Sequence, residues 1–241
     1  MRIRIKLETI NKSISINYHS LIQGFIYNVI GRDEFSTALH NVGSRFENRP
    51  FKLFTFSELF GKAKYSNQKL LFTNDAYFEV TAFNDTIIER IIAFLEENEY
   101  ISLGKEMYKV NGYDIINDLY KVEEEMKFKT ISPVICNLTE NKKPIYLDPN
   151  TPRYKEVLLM NLAKKYYLCY HENLPEIDLR IDNVIEKKVY FRKVFYICNH
   201  FDITFYNLNE DLLKLIQRVG IGSKNSMGFG MLKYEKKNIF I

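Results

Sequence analysis

Residues 220–230 read Gly-Ile-Gly-Ser-Lys-Asn-Ser-Met-Gly-Phe-Gly and form the most distinctive stretch of the 241-residue chain. Four of the ten glycines fall within it, as two Gly-x-Gly pairs around a polar, basic centre. Glycine accepts positive φ and close backbone approach, and successive N–H groups in such a loop can hold an anion. We therefore expect a phosphate, or a run of phosphates, as its ligand. The residues predicted to bind it are Gly220, Gly222, Ser223, Lys224, Asn225, Ser226, Gly228 and Gly230.

Two familiar phosphate loops are excluded by spacing. A P-loop needs a lysine directly after its last glycine, which this stretch lacks. The dinucleotide fingerprint needs a third glycine at the position of Asn225. A long glycine-rich turn between a helix and a strand is the alternative interpretation.

The segments around the glycine stretch predict a unit that contains both helices and strands. Asn209 is in position to cap a helix just before it, and residues 231–234 begin a strand after it. Upstream, residues 128–138 are strand-like, and Thr151 with Pro152 opens a helix over 151–171. Two further β-rich segments follow, separated by a turn expected at Glu186 and Lys187; they span 177–185 and 188–206.

The first half of the chain also alternates between strands and helices, and its sequence pattern is clearer. Its apolar periodicity predicts strands and helices in the order β-α-β-β-α-β, the ferredoxin-like unit. The predicted segments are 1–10, 19–30, 51–57, 69–81, 85–97 and 100–110, with a short helix at 35–39. The expected fold class is α+β, with two tandem ferredoxin-like domains at 1–124 and 125–241.

Charge is shared unevenly between the halves. Residues 1–125 carry 15 basic and 18 acidic side chains, and residues 126–241 carry 19 and 12. A basic half that holds a glycine loop points to a polyanionic partner. The three cysteines are far apart and odd in number, which fits a reducing cytoplasm. No apolar run reaches the roughly 18 residues of a membrane span.

Three residues are candidates for acid–base chemistry at a phosphodiester. His40 has a side chain suited to proton transfer near neutral pH, and Lys52 could stabilise charge developing on phosphate. Tyr27 lies off the apolar stripe of its helix and can donate a hydrogen bond. His19 ranks second among the histidines, and His171 and His200 are interpreted as structural. No carboxylate or cysteine cluster suits a metal, so we expect neither metal nor cofactor, and attack by an RNA 2′-hydroxyl.

The glycine stretch closely resembles the C-terminal motif of the CRISPR-associated endoribonucleases that process repeat RNA, within the RAMP group. Residues 23–30, and the run around His40 and Lys52, resemble the family's N-terminal segments. The resemblance implies two ferredoxin-like domains, CRISPR repeat RNA as partner, and metal-independent cleavage leaving 2′,3′-cyclic phosphate and 5′-hydroxyl ends. It places Tyr27, His40 and Lys52 at the family's catalytic positions.

A second hypothesis is a subunit with the same fold that binds CRISPR RNA without cutting it. His40 discriminates between the two hypotheses. An interference complex is a candidate partner and a homodimer a candidate assembly, and the sequence decides neither. A scaffold unrelated to RNA is a third hypothesis, which the glycine stretch disfavours.

Overall fold

The computed structural model describes residues 1–31, 44–46, 49–118, 120–141 and 143–235. Two antiparallel sheets dominate it, one built from each half of the chain. Each sheet carries two helices against its apolar face, and each has its own core. The expected α+β class with two tandem ferredoxin-like units is confirmed.

The first unit has a five-stranded sheet in the order β5-β8-β1-β10-β9. Its elements are β1 (Arg2–Leu7), β2 (Ser13–Ser15), α1 (Tyr18–Ile30), β3 (Ser44–Phe46), β4 (Arg49–Phe51), β5 (Phe54–Phe56), β6 (Ala63–Ser66), β7 (Lys69–Phe72), β8 (Ala76–Ala82), α2 (Thr86–Glu97), β9 (Tyr100–Leu103) and β10 (Glu106–Ile116). Strands β1, β5, β8 and β10 are the four ferredoxin-like strands, and β9 adds an edge.

The alternation of side chains along the strands and the apolar periodicity of the helices determine which residues form the core of the first unit. Along β1, Ile3 and Ile5 are fully buried while Arg4 and Lys6 are only partly covered, as period-two alternation requires. Helix α1 buries Ile22 and Ile26 against this sheet, so its apolar stripe faces the core.

The second unit has a four-stranded sheet in the order β14-β15-β11-β16. Its elements are β11 (Glu125–Thr130), β12 (Asn137–Glu140), β13 (Lys143–Tyr146), α3 (Pro152–Tyr170), β14 (Asp178–Phe191), β15 (Val194–Tyr206), α4 (Glu210–Val219) and β16 (Leu232–Tyr234). The expected cap of α4 is confirmed, because the Asn209 side chain accepts a hydrogen bond from Leu212 N at 2.7 Å.

Some expected strand boundaries are wrong. The segment 69–81 is two strands, β7 and β8, and the segment 100–110 is a hairpin that turns at Gly104 with φ of 74°. The long hairpin of the second unit turns at Arg192, whose φ is 58°, so Glu186 and Lys187 lie within β14. The helix expected at 35–39 lies outside the described residues.

Hydrogen bonds and ion pairs join the two units. Arg2 Nη2 donates to Leu232 O at 2.6 Å across the junction. Glu58 of the first unit accepts from Lys187 Nζ at 2.5 Å and pairs with His200 Nε2 at 3.0 Å. Burial alone would raise the pKa of Glu58, but these two partners lower it to about 2, so Glu58 is ionised at neutral pH. His200 thus has the structural role expected of it.

The first sheet ends with Ile116 and the second begins with Glu125, and we propose the domain boundary at residues 124 and 125. In the described part of the chain, no helix is both long and apolar enough to span a bilayer. Cys136, Cys169 and Cys198 are free thiols.

Candidate nucleic-acid interface

The two ends of the glycine stretch lie backbone against backbone. Ile221 N donates to Gly230 O at 2.9 Å, and both flanking glycines have positive φ, 74° at Gly220 and 76° at Gly230. A Cβ at Gly220 would lie 2.3 Å from Gly230 O, and one at Gly230 would lie 1.9 Å from Ile221 O. Glycine is therefore required at both positions to close the loop.

The other two glycines dock the stretch onto both units. A Cβ at Gly222 would meet Ile135 O at 2.6 Å, in the second unit. A Cβ at Gly228 would meet the Phe56 ring at 2.3 Å and His19 Nδ1 at 2.6 Å, in the first unit. The stretch is thus part of the junction between the sheets.

The N–H groups of three of these glycines have partners within the protein. Gly220 N donates to Ile216 O, Gly228 N to Asn225 O and Gly230 N to Pro133 O, at 2.9 to 3.0 Å. Packing therefore explains the glycines, and direct RNA binding by them stays a prediction. Asn225 is also structural, because its buried side chain donates to Ile221 O and Phe229 O, both at 2.9 Å.

Four polar residues of the stretch line a cleft between the two units, namely Ser223, Lys224, Asn225 and Ser226. The cleft has a volume of about 680 Å³. The chain before β5, one face of α3 and strand β12 form its other walls. Among the described residues that line it are four lysines, Lys52, Lys164, Lys165 and Lys224, and one carboxylate, Glu140. Such an excess of positive charge with neutral donors suits a phosphate backbone.

Of the three predicted catalytic residues, Lys52 lines this cleft, and Tyr27 contacts two residues that line it, Phe54 and Ser226. Tyr27 packs edge-on against Phe54, with ring centroids 5.8 Å apart, and its phenol hydrogen-bonds the Ser226 side chain. Ser226 and Lys52 both line the cleft. Burial raises the pKa of Tyr27, so its phenol stays neutral and able to donate at neutral pH. His40 lies outside the described residues.

The second-ranked histidine, His19, has a packing role. It is 1% exposed, its ring stacks on Phe229 at 5.3 Å, and its Nδ1 lies 3.2 Å from Met227 O. Burial lowers its pKa to about 4, so the ring is neutral and enclosed between α1 and the glycine stretch. His19 therefore anchors the stretch to the first unit.

Lys165 belongs to the site, although it was not predicted from the sequence. It lies on α3, is 1% exposed, and donates from Nζ to Gly220 O at 3.0 Å and Gly222 O at 2.9 Å. Burial lowers its pKa to about 7. Lys165 holds the first Gly-x-Gly pair in place, and only the tertiary packing of α3 against the stretch reveals it.

Replacing Lys165 with methionine should change how stability depends on pH. Because the folded pKa is near 7 and the unfolded value near 10.5, folding releases a proton in that window, and wild-type stability rises with pH there. Near pH 9 the variant should be less stable by about 2 kcal/mol, since two carbonyls lose their donor. The difference should shrink toward pH 6, where wild type carries a buried charge.

Urea unfolding from pH 6 to 9 measures this effect, with Lys164→Met on the same helix as control. A stability difference that is the same at every pH would show that Lys165 does not titrate on folding.

Within the described residues, no group of three or more His, Cys, Asp and Glu side chains is arranged to hold a metal ion. The candidate site is thus the cleft itself, with its lysines, Tyr27 and the polar centre of the glycine stretch.

Among solved structures, a CRISPR-associated protein Cas6 matches with a TM-score of 0.78 at 27% identity, covering 98% of this chain and 99% of that one. A RAMP protein described as binding different RNA substrates matches with a TM-score of 0.82 at 18% identity, covering 98% and 100%. At that identity the second match shows the fold alone. The two ferredoxin-like units of this chain thus form a class of fold that it shares with both structures.

Sequence relatives identify the family within that class. The model of the Cas6 C-terminal region matches residues 116–234. The CRISPR-associated endoribonuclease Cas6 1 of Methanocaldococcus jannaschii is 30% identical over 250 residues, covering 99% of this chain and 94% of the relative. The Cas6 endoribonuclease of Pyrococcus furiosus is 27% identical over 248 residues, covering 98% and 90%. The chain belongs to the Cas6 family of CRISPR-associated endoribonucleases.

Proposed function

We propose that this chain is an endoribonuclease that cuts precursor CRISPR RNA within its repeats, and that the reaction occurs in the lysine-rich cleft. One observation carries the assignment to this cleft: Lys52 and the polar centre of the glycine stretch line it, and Tyr27 is hydrogen-bonded to Ser226 of that stretch. Full-length relatives named as CRISPR-associated endoribonucleases support the activity.

The proposed reaction is an attack of the RNA on itself. The 2′-oxygen of one nucleotide forms a bond to the adjacent phosphorus while the bond from phosphorus to the 5′-oxygen breaks. The proton of the 2′-hydroxyl goes to a general base, and the leaving 5′-oxygen gains a proton from a general acid. The products are a 2′,3′-cyclic phosphate and a 5′-hydroxyl, so no water is consumed in this step.

Three side chains have proposed roles in that step. His40 transfers a proton, as general base or general acid, because imidazole titrates near neutral pH. Lys52 stabilises the negative charge that develops on the phosphate oxygens. Tyr27, held by Phe54 and Ser226, donates a hydrogen bond to the reacting phosphate.

Incubating the protein with repeat RNA in excess chelator tests the proposal. We expect one cut per repeat at an unchanged rate, with product 3′ ends that cannot be ligated to a 5′-phosphorylated adaptor until the cyclic phosphate is opened and the phosphate removed. RNA that is bound but never cut, with or without added metal, would favour the binding-subunit hypothesis instead.

Lys224 provides a test of the proposed RNA path. Its side chain is exposed at the cleft, with Nζ 5.3 Å over the Tyr196 ring. Lys224→Ala should weaken RNA binding and reduce the slope of log K against log salt by about 0.7, the value for one phosphate contact on a single strand.

Lys105→Ala is the matched control, because Lys105 is exposed in the turn between β9 and β10, at the far edge of the first sheet. Binding titrations at several salt concentrations give both slopes. An equal slope for Lys224→Ala and wild type would mean that Lys224 does not contact the RNA.

A further inference from the structure

A second hollow extends the cleft along α3. It has a volume of about 570 Å³ and shares two lining residues with the cleft, Met160 and Lys164. Phe46 of β3 and Tyr167 of α3 form its aromatic walls, and Leu174 adds apolar surface. A ligand in the cleft could therefore continue into this hollow without leaving the protein surface.

The aromatic walls of the hollow are held in a fixed arrangement and remain accessible. Phe46 and Tyr167 pack edge to face at 5.8 Å with an interplanar angle of 89°. Even so, Tyr167 is 45% exposed and Met160 is 50% exposed. A concavity lined by apolar and aromatic side chains with a few polar groups has the usual composition of a ligand-binding site.

A cation lies between the aromatic walls and the cleft. Lys164 Nζ is 5.6 Å from the centre of the Phe46 ring. Within the described part of the chain, Lys164 has no carboxylate partner. Its charge is therefore available to a ligand that passes from the cleft into the hollow.

We propose that this hollow is a stacking subsite for an unpaired nucleobase of the RNA substrate. The base stacks on Tyr167, Phe46 supports the tyrosine ring, and Lys164 contacts the phosphate that links this nucleotide to those in the cleft. Aromatic surface beside a cation is the combination that binds single-stranded RNA. Continuity with the lysine-rich cleft favours RNA over a protein segment as the occupant. The inference rests on the proposed function only in taking RNA as the ligand of the cleft.

A double-mutant cycle between protein and RNA tests the subsite. The RNA is a repeat with a 2′-deoxy nucleotide at the cut position, so binding is measured without cleavage, and single abasic nucleotides are placed in turn along it. Tyr167→Ala should weaken binding of intact RNA about tenfold, as expected for one lost stacking interaction. One abasic position should weaken wild-type binding to the same extent. Tyr167→Ala with that abasic RNA should bind only a little more weakly than with either change alone.

Two variants separate stacking from other effects. Tyr167→Phe keeps the ring and should bind like wild type. Tyr100→Ala removes a tyrosine of the same 45% exposure from β9, four strands away from β5, and should leave binding unchanged.

Fully additive losses at every abasic position, or unchanged binding by Tyr167→Ala, would overturn the stacking subsite. Cleavage of ordinary repeat RNA by wild type is measured alongside. If wild type cuts the RNA and the cycle shows no coupling, the proposed subsite is wrong and the proposed function stands. If wild type binds without cutting and the coupling is present, the subsite stands and the proposed catalysis is wrong.

Discussion

Replacing His40 with alanine should lower the single-turnover cleavage rate by about 10²–10⁴-fold, the usual contribution of a general acid or base. Affinity for repeat RNA should stay nearly unchanged, because we propose that the phosphate contacts come from the lysines that line the cleft. The wild-type rate should also depend on pH near neutrality, where imidazole gains and loses a proton, and the variant should lose that dependence.

His171→Asn is the matched control for this loss. His171 caps α3 with φ of 58°, a conformation that asparagine accepts, so the change removes an imidazole without straining the backbone. The control should cut like wild type. A His40→Ala protein that cuts at the wild-type rate would eliminate His40 from the mechanism and direct attention to Tyr27 and Lys52.

Replacing Gly230 with alanine should cost more than about 4 kcal/mol of stability, a loss that is exceptional for a single substitution. The added Cβ would lie 1.9 Å from Ile221 O, and the clash is with backbone, which cannot rotate away as a side chain can. The positive φ of 76° adds strain of about 1–2 kcal/mol.

Gly112→Ala separates the clash from the strain. Gly112 also has positive φ, 87°, but an added Cβ there meets no atom within 4 Å. Chemical unfolding of both variants should show a small loss for Gly112→Ala and a severe loss, or no folded protein, for Gly230→Ala. Equal losses would mean that the close backbone approach at Gly230 is not tight in solution.

Local sequence signals predict most of the fold. Helical stripes, strand alternation and the Asn209 cap correspond to α1, β1 and α4, because each depends on neighbours within a few residues. The predicted position of the turn in the long hairpin was wrong, and the reason is physical. Both strands carry a continuous β-forming pattern, and Arg192 takes the turn with positive φ without a glycine or proline to mark it.

The candidate site is predictable only in part. Tyr27 and Lys52 were found by residue type and resemblance; the fold places Lys52 in the cleft wall and Tyr27 against Phe54 and Ser226, which also line it. The packing role of the glycines and the buried cation of Lys165 depend on which backbone lies opposite them, and no local pattern contains that information. Phe46 and Tyr167 are 121 positions apart in sequence and meet only after both units have folded.

The measurement that tests the central claim most directly is a structure of the protein bound to repeat RNA that carries a 2′-deoxy nucleotide at the cut position. We predict that the phosphate to be cut lies in the cleft, within hydrogen-bonding distance of Lys52 and Tyr27, with an adjacent phosphate beside Lys224. RNA bound on another face of the molecule, with the cleft vacant and that phosphate far from Lys52, would contradict the account.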